Sequence, residues 1–144
     1  MSKSLSIIVV SAAFNGDKVR EIRDELQARG HEIVEWTGQS GLFLKHQRGE
    51  GGYPLPKEEE DLFNACHRHS AMADLLVVLD PVDQDAACLV GMAYTSGVPV
   101  VARTSQRYGL MVKRCASFWF EDLDGLLRVI DEWINVDNIV EEDA

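Results

Sequence analysis

Residues 74–94 read DLLVVLDPVDQDAACLVGMAY, and the fold prediction starts from this stretch. The run of leucine and valine at residues 75–79 is typical of a strand that is buried on both faces of a parallel sheet. Residues 85–94 place alanine and glycine at helical spacing, which favours a helix packed closely on that sheet. Ligands of open parallel sheets bind where loops leave the carboxyl ends of strands, so the intervening turn is the first candidate site. Its three carboxylates are Asp80, Asp83 and Asp85.

Strands and helices alternate on both sides of this stretch. Further strands are predicted at residues 5–10, 31–36, 98–102 and 116–120, and further helices at residues 17–29, 57–73 and 122–136. Residues 37–56 and 104–113 lack periodicity and are predicted as loops; long loops of compact domains are usually lids, binding loops or disordered segments. We therefore predict an α/β fold: one doubly wound domain over residues 1–140, with a mainly five-stranded parallel sheet in flavodoxin-like order, and an acidic tail at residues 141–144.

Charge and cysteine content narrow the possible partners. The 144 residues include 14 Lys and Arg against 24 Asp and Glu, and the net charge of −10 disfavours nucleic acid and anionic membranes. No apolar run is long enough to span a bilayer, so no membrane partner is expected. Cys66, Cys88 and Cys115 are odd in number, which favours a reduced, cytoplasmic setting. No histidine or further acid follows the turn at a ligand spacing, so neither a metal nor another cofactor is expected.

The central stretch and the strand after it resemble a known family. Residues 83–94, followed by GVPVV at residues 97–101, resemble the nucleoside 2-deoxyribosyltransferase family, whose pattern is roughly D-x-G-T-x-x-E-x-G-x-A before a G-K-P-V-like strand. The first strand leading into Ala12 and Phe14 falls where that family would put it, as does FWF at residues 118–120. The resemblance implies a nucleoside or nucleotide-like ligand at the carboxyl ends of the strands. It also implies a homodimer or higher homo-oligomer in which Asn135 or Asn138 of a neighbour completes the pocket.

The resemblance fails at the position of the family's nucleophile. Counted back from Gly91, the family's aspartate falls on Asp83 and its nucleophilic glutamate falls on Leu89. In the family the glutamate displaces the base and forms a glycosyl-enzyme intermediate, which leucine cannot do. The sequence is therefore interpreted as a catalytically degenerate relative that binds a nucleoside, nucleotide or related small ligand, or that uses the scaffold to bind a protein.

A working N-glycoside hydrolase or transferase is the alternative, with Asp85 or Asp83 in place of the missing glutamate. Asp85 lies four positions before Leu89, about one helical turn, so its carboxylate can point into the same crevice. Either aspartate can instead cap the helix, because a carboxylate at a helix start accepts from unpaired backbone amides. A receiver-like signalling domain is a more remote alternative that the acidic turn suggests. The sequence therefore leaves open whether the protein is an enzyme.

The other candidate ligand-binding residues surround the same crevice. The resemblance places Ala12 and Phe14 after the first strand, and it places Asp61 near the family's helix carboxylate. Arg103 and Arg107 follow the fourth strand on the carboxyl side of the sheet, where they either meet a phosphate or are simply solvated. Asp80, directly before Pro81, completes the predicted ligand-binding set together with Asp83 and Leu89, although an aspartate before proline often only starts a turn.

Overall fold

The computed structural model of the protein describes residues 3–12, 16–34 and 56–134. Its strands are β1 (Ser6–Val10), β2 (Glu32–Val34), β3 (Leu75–Val78), β4 (Val100–Arg103) and β5 (Phe118–Phe120). Its helices are α1 (Asp17–Ala28), α2 (Pro56–Met72), α3 (Gln84–Thr95), α4 (Leu110–Cys115) and α5 (Leu123–Val129), and a π-helical turn over Ile130–Ile134 continues α5. None of these helices is both long and apolar enough to cross a bilayer.

The described strands form one parallel sheet in the order β2-β1-β3-β4-β5. Within it, β3 lies between β1 and β4, with Val78 paired to Val10 on one side and to Ala102 on the other. Parallel neighbours require a crossover between them, and a helix supplies each crossover that the structure describes completely. The predicted α/β class, the five-stranded parallel sheet and the flavodoxin-like order are confirmed.

The sheet is buried on both faces because successive side chains of a strand point to opposite sides. Leu76 and Val78 belong to an apolar cluster with α3 and α4, whereas Leu75 and Val77 belong to a second cluster with α1 and α5. All four side chains have no exposed surface. Double burial explains why β3 reads as a continuous apolar run rather than as an alternating one.

Two glycines follow the ends of helices. Gly30 follows α1 with a φ of +92°, and Gly97 follows α3 with a φ of +81°. Both angles lie in the left-handed region, where a residue without Cβ is favoured.

One predicted loop was wrong in part. Residues 104–113 were predicted as irregular, but the structure has α4 over Leu110–Cys115. Val112 is the only buried residue of this six-residue helix, while Leu110 and Met111 are 72% and 77% exposed, so there is no apolar periodicity for the sequence to display. The predicted loop at residues 37–56 and the acidic tail lie outside the described residues, except for Pro56.

Candidate functional site

The loops after β1 and β3 are held together at the carboxyl edge of the sheet. Ala12 N–H donates to the carbonyl of Pro81 at 2.8 Å, and Ser11 Oγ donates to the same oxygen at 3.2 Å. The chain leaves β1 toward α1 on one face and leaves β3 toward α3 on the other, as the two clusters show. This divergence is the topological switch point, where ligands of such sheets bind. The predicted residue Ala12 is therefore part of the candidate site, whereas Phe14 lies outside the described residues.

Asp83 and Asp85 have different roles at the start of α3. Asp83 is the N-cap, and its Oδ1 accepts from the backbone N–H of Ala86 at 2.8 Å. Asp85 lies in the first turn with its side chain exposed and does not cap the helix. The capping role therefore belongs to Asp83, and the carboxylate of Asp85 stays available in the solvent.

Leu89 points into the core. It is 4% exposed and shares the buried face of α3 with Ala86, Val90 and Ala93. The half-buried Cys66 of α2 packs against the same cluster. A carboxylate at position 89 would lose its water, and this desolvation would raise its pKa.

The best defined polar cluster lies after β3 and β4, where Asp80 meets two arginines. Nη1 of Arg103 is 3.7 Å from Asp80 Oδ1, and Nη1 of Arg107 is 3.5 Å from Asp80 Oδ2. Both distances exceed the roughly 2.7–2.9 Å of a charge-assisted hydrogen bond. Asp80 is only 12% exposed, and its Oδ1 is buried and accepts no hydrogen bond from the described residues. The carboxylate therefore has capacity for one further donor.

Tyr108, which was not among the predicted site residues, organises this cluster. Its hydroxyl donates to the carbonyl of Arg103 at 2.6 Å and lies 3.3 Å from the carbonyl of Val78. It thereby fastens the ends of β3 and β4 beside Asp80. Burial and, to a smaller extent, the charge of Asp80 raise the pKa of Tyr108 to about 12, so the hydroxyl stays protonated at neutral pH. The only sequence signal was an aromatic residue within a segment that reads as polar.

The first turn of α3 also approaches α2. Burial raises the pKa of the Cys66 thiol, and the negative charge of Asp85 raises it further. Asp61 lies one to two turns before Cys66 on α2, and its Oδ1 is 3.2 Å from Nζ of Lys57. Both side chains of that pair are mostly exposed, so it contributes little to stability. The structure places Asp61 in the solvent, paired with Lys57, and it shows no contact of Asp61 with the Asp80 cluster.

The described residues contain no group of three or more His, Cys, Asp or Glu side chains placed to hold a metal ion.

Solved structures with this architecture place the chain among known folds. A 2-deoxyribosyltransferase from the psychrotolerant bacterium Bacillus psychrosaccharolyticus is 20% identical over 94% of this chain and 94% of its own, with a TM-score of 0.61. A CMP N-glycosidase from Clostridium botulinum is 11% identical over 88% of this chain and 98% of its own, with a TM-score of 0.54. No model of a protein family and no curated protein matches the sequence. The chain thus has the α/β fold of these two enzymes along almost its whole length.

Proposed function

We propose that this protein binds a nucleoside or nucleotide-like small molecule at the carboxyl ends of the strands and does not form a glycosyl-enzyme intermediate. The observation that carries the proposal is the burial of Leu89, which is 4% exposed within an apolar cluster. The family resemblance puts the nucleophile at this position, and retaining glycosyl transfer requires a carboxylate there. A leucine that fills the core removes both the nucleophile and the space around it.

The Asp80 cluster supports the binding part of the proposal. The buried Oδ1 of Asp80 lacks a hydrogen-bond donor among the described residues, so a sugar hydroxyl or a base N–H can bind it once ligand binding moves the side chains that cover it. The guanidinium of Arg107 is exposed and only loosely paired, so it is free to turn toward a phosphate or a base edge. With two arginines and one aspartate, the cluster suits a neutral or mildly anionic ligand.

An N-glycoside hydrolase or transferase that uses Asp85 is the second candidate, and one observation favours it. Asp85 is exposed and does not cap α3, so its carboxylate can act as an acid or base. Asp83 is less suited because its Oδ1 holds the N–H of Ala86 at 2.8 Å.

Two parallel measurements separate these candidates. The protein is incubated with purine and pyrimidine deoxynucleosides and their 5′-monophosphates, free base is followed by chromatography, and binding is followed by calorimetry. We expect no base release and saturable binding of one ligand class. Asp80→Asn should weaken that binding roughly 10- to 150-fold, because a hydrogen bond to a charged group contributes roughly 1.5–3 kcal/mol.

The matched control is Asp24→Asn, since Asp24 is an exposed aspartate of α1 away from this cluster and its substitution should change nothing. Base release that Asp85→Asn abolishes would replace the proposal with the second candidate. No binding of any nucleoside or nucleotide would overturn both and direct the search to a protein partner.

A further inference from the structure

A cavity opens at the carboxyl edge of the sheet between α1 and α5, on the face opposite α3. Its volume is about 270 Å³. Its apolar floor is made by Ile22, Leu79 and Phe120, which belong to the cluster that does not contain Leu89. The cavity is therefore separated by the sheet from the position that the family resemblance assigns to catalysis.

Charged side chains surround this floor. They are Lys18, Glu21, Arg103, Glu121, Asp122 and Asp124. Two cations and four carboxylates leave the lining with an excess of two negative charges. The carboxylates are grouped mainly on one side, in the connection from β5 to α5, so the cavity has an acidic wall.

Pairing within the protein does not cancel that excess. Asp122 caps α5 by accepting from Gly125 N–H at 2.9 Å, and Arg103 is turned toward Asp80. Among the described residues, neither Glu121 nor Asp124 has a side-chain hydrogen bond or an ion pair. The same holds for Lys18 and Glu21 on the opposite wall, so three unpaired carboxylates face a single unpaired ammonium.

We propose that this cavity binds a small organic cation with an apolar body. The acidic wall attracts an ammonium group and disfavours an anion. Ile22, Leu79 and Phe120 close the floor of the cavity with apolar atoms, and the described residues contain no group of three carboxylates placed to hold a metal ion, which favours an organic cation over a metal ion. An apolar cavity of about 150 Å³ already admits benzene in another protein, so this larger cavity has room for one ring and a short amine.

The proposal does not depend on nucleoside binding at the Asp80 cluster. The two sites share only Arg103, whose Nη1 is 3.7 Å from Asp80 Oδ1 while its side chain lines the cavity. A failure of nucleosides to bind at the Asp80 cluster would therefore not contradict binding of a cation in this cavity. A failure of the cation to bind would likewise not contradict nucleoside binding.

Three probes with the same ring test the charge selection: benzylamine, benzyl alcohol and benzoate. Each is titrated into isotope-labelled protein at low ionic strength, and amide signals are followed by NMR. We expect saturable shifts with benzylamine, concentrated at residues that line the cavity, weaker shifts with benzyl alcohol and none there with benzoate. The benzylamine affinity should fall as salt is added, because the wall is open to solvent.

A double variant tests the acidic wall directly. Glu121→Gln combined with Asp124→Asn should weaken benzylamine binding about three- to tenfold, since each exposed charge pair contributes roughly 0.2–1 kcal/mol. Asp24→Asn lies on α1 outside the lining and should leave the affinity unchanged. Equal binding of benzoate, an unaffected double variant, or no saturable shift at the lining would each overturn the proposal.

Discussion

Replacing Leu89 by the glutamate that the family resemblance would put there tests whether position 89 belongs to the core or to the crevice. Leu89 is 4% exposed and lies on the buried face of α3. At this position, Leu89→Glu buries a carboxylate among apolar side chains. The variant should therefore be strongly destabilised, and by an amount that depends on pH.

The magnitude follows from two separate costs. Loss of leucine burial costs about 1.5–3 kcal/mol, and an unpaired polar head adds about 1–3 kcal/mol, so Leu89→Gln should cost roughly 3–5 kcal/mol. Burial of the charged form adds about 1.4 kcal/mol for each pKa unit, and shifts of about 2–3 units are ordinary for buried carboxyls. At pH 8, Leu89→Glu should therefore cost roughly 3–4 kcal/mol more than Leu89→Gln. The combined cost is comparable with the whole stability of a typical domain, about 5–15 kcal/mol.

The sign of the pH dependence is fixed by the direction of this pKa shift. Burial raises the folded-state pKa of the new carboxyl above its unfolded value of about 4.3, so the extra cost is absent below that pH and grows as pH rises through the folded pKa. Urea unfolding followed by circular dichroism at pH 5 and pH 8 measures the cost. Leu89→Gln controls for polarity without charge, and Leu89→Met controls for shape at a cost below about 1.5 kcal/mol.

Equal stability of the Glu and Gln variants at pH 8 would refute the reasoning. It would mean that a carboxylate at position 89 reaches water, and therefore that the position opens into the crevice. The Leu89→Glu variant would then be the protein to assay for release of a nucleobase.

Three further predictions concern the N-cap of α3, the hydroxyl of Tyr108 that joins β3 to β4, and His31. Asp83→Ala should lower the free energy of unfolding by about 1 kcal/mol, whereas Asp85→Ala should change it by less than about 0.5 kcal/mol; equal effects in urea titrations would contradict the assigned cap. Tyr108→Phe should cost about 1–2 kcal/mol, because a buried hydroxyl that joins two strands is removed; an unchanged urea midpoint would contradict that role. Burial lowers the pKa of His31 from 6.5, and its Nδ1 accepts from Leu5 N–H at 3.1 Å, so the wild type should lose stability as pH falls below 6.5. His31→Gln should remove that part of the pH dependence, and identical unfolding curves of both proteins from pH 8 to pH 5 would exclude it.

The sequence predicted those elements whose burial is visible in a local pattern. The run at residues 75–79 is apolar at every position because both faces of β3 are covered, so the central strand could be identified without any knowledge of its neighbours. Helix α4 was missed for the opposite reason, since it buries only Val112. The choice between Asp83 and Asp85 as the cap depends on where α3 begins. The structure begins α3 at Gln84, one residue earlier than predicted, and this makes Asp83 the N-cap.

The candidate site was harder to predict because its decisive contacts join distant parts of the chain. The hydroxyl of Tyr108 reaches the carbonyl of Val78 across 30 positions, and Arg107 reaches Asp80 across 27. No periodicity of one segment encodes such contacts. The sequence placed Asp80 and Arg107 at the same edge of the sheet by topology, but only the structure brings them to 3.5 Å.

The N-cap Asp83 and the buried Leu89 together explain why we propose ligand binding without formation of a glycosyl-enzyme intermediate. Asp83 fixes the first residue of α3, and Leu89 follows six positions later in the same uninterrupted helix, so the register of position 89 is set by the cap. A shift of register along α3 would not bring a glutamate to this position, because residues 84–95 contain no glutamate. A leucine at that fixed position fills the core and stabilises the fold. A carboxylate at the same position would make the fold less stable, which is the usual trade-off between stability and activity. The Asp80 cluster lies at the ends of β3 and β4, which the hydroxyl of Tyr108 joins. The position of Asp80 Oδ1, which accepts no hydrogen bond from the described residues, therefore does not depend on the residue at position 89. The proposed absence of a nucleophile is thus compatible with the proposed binding at this edge.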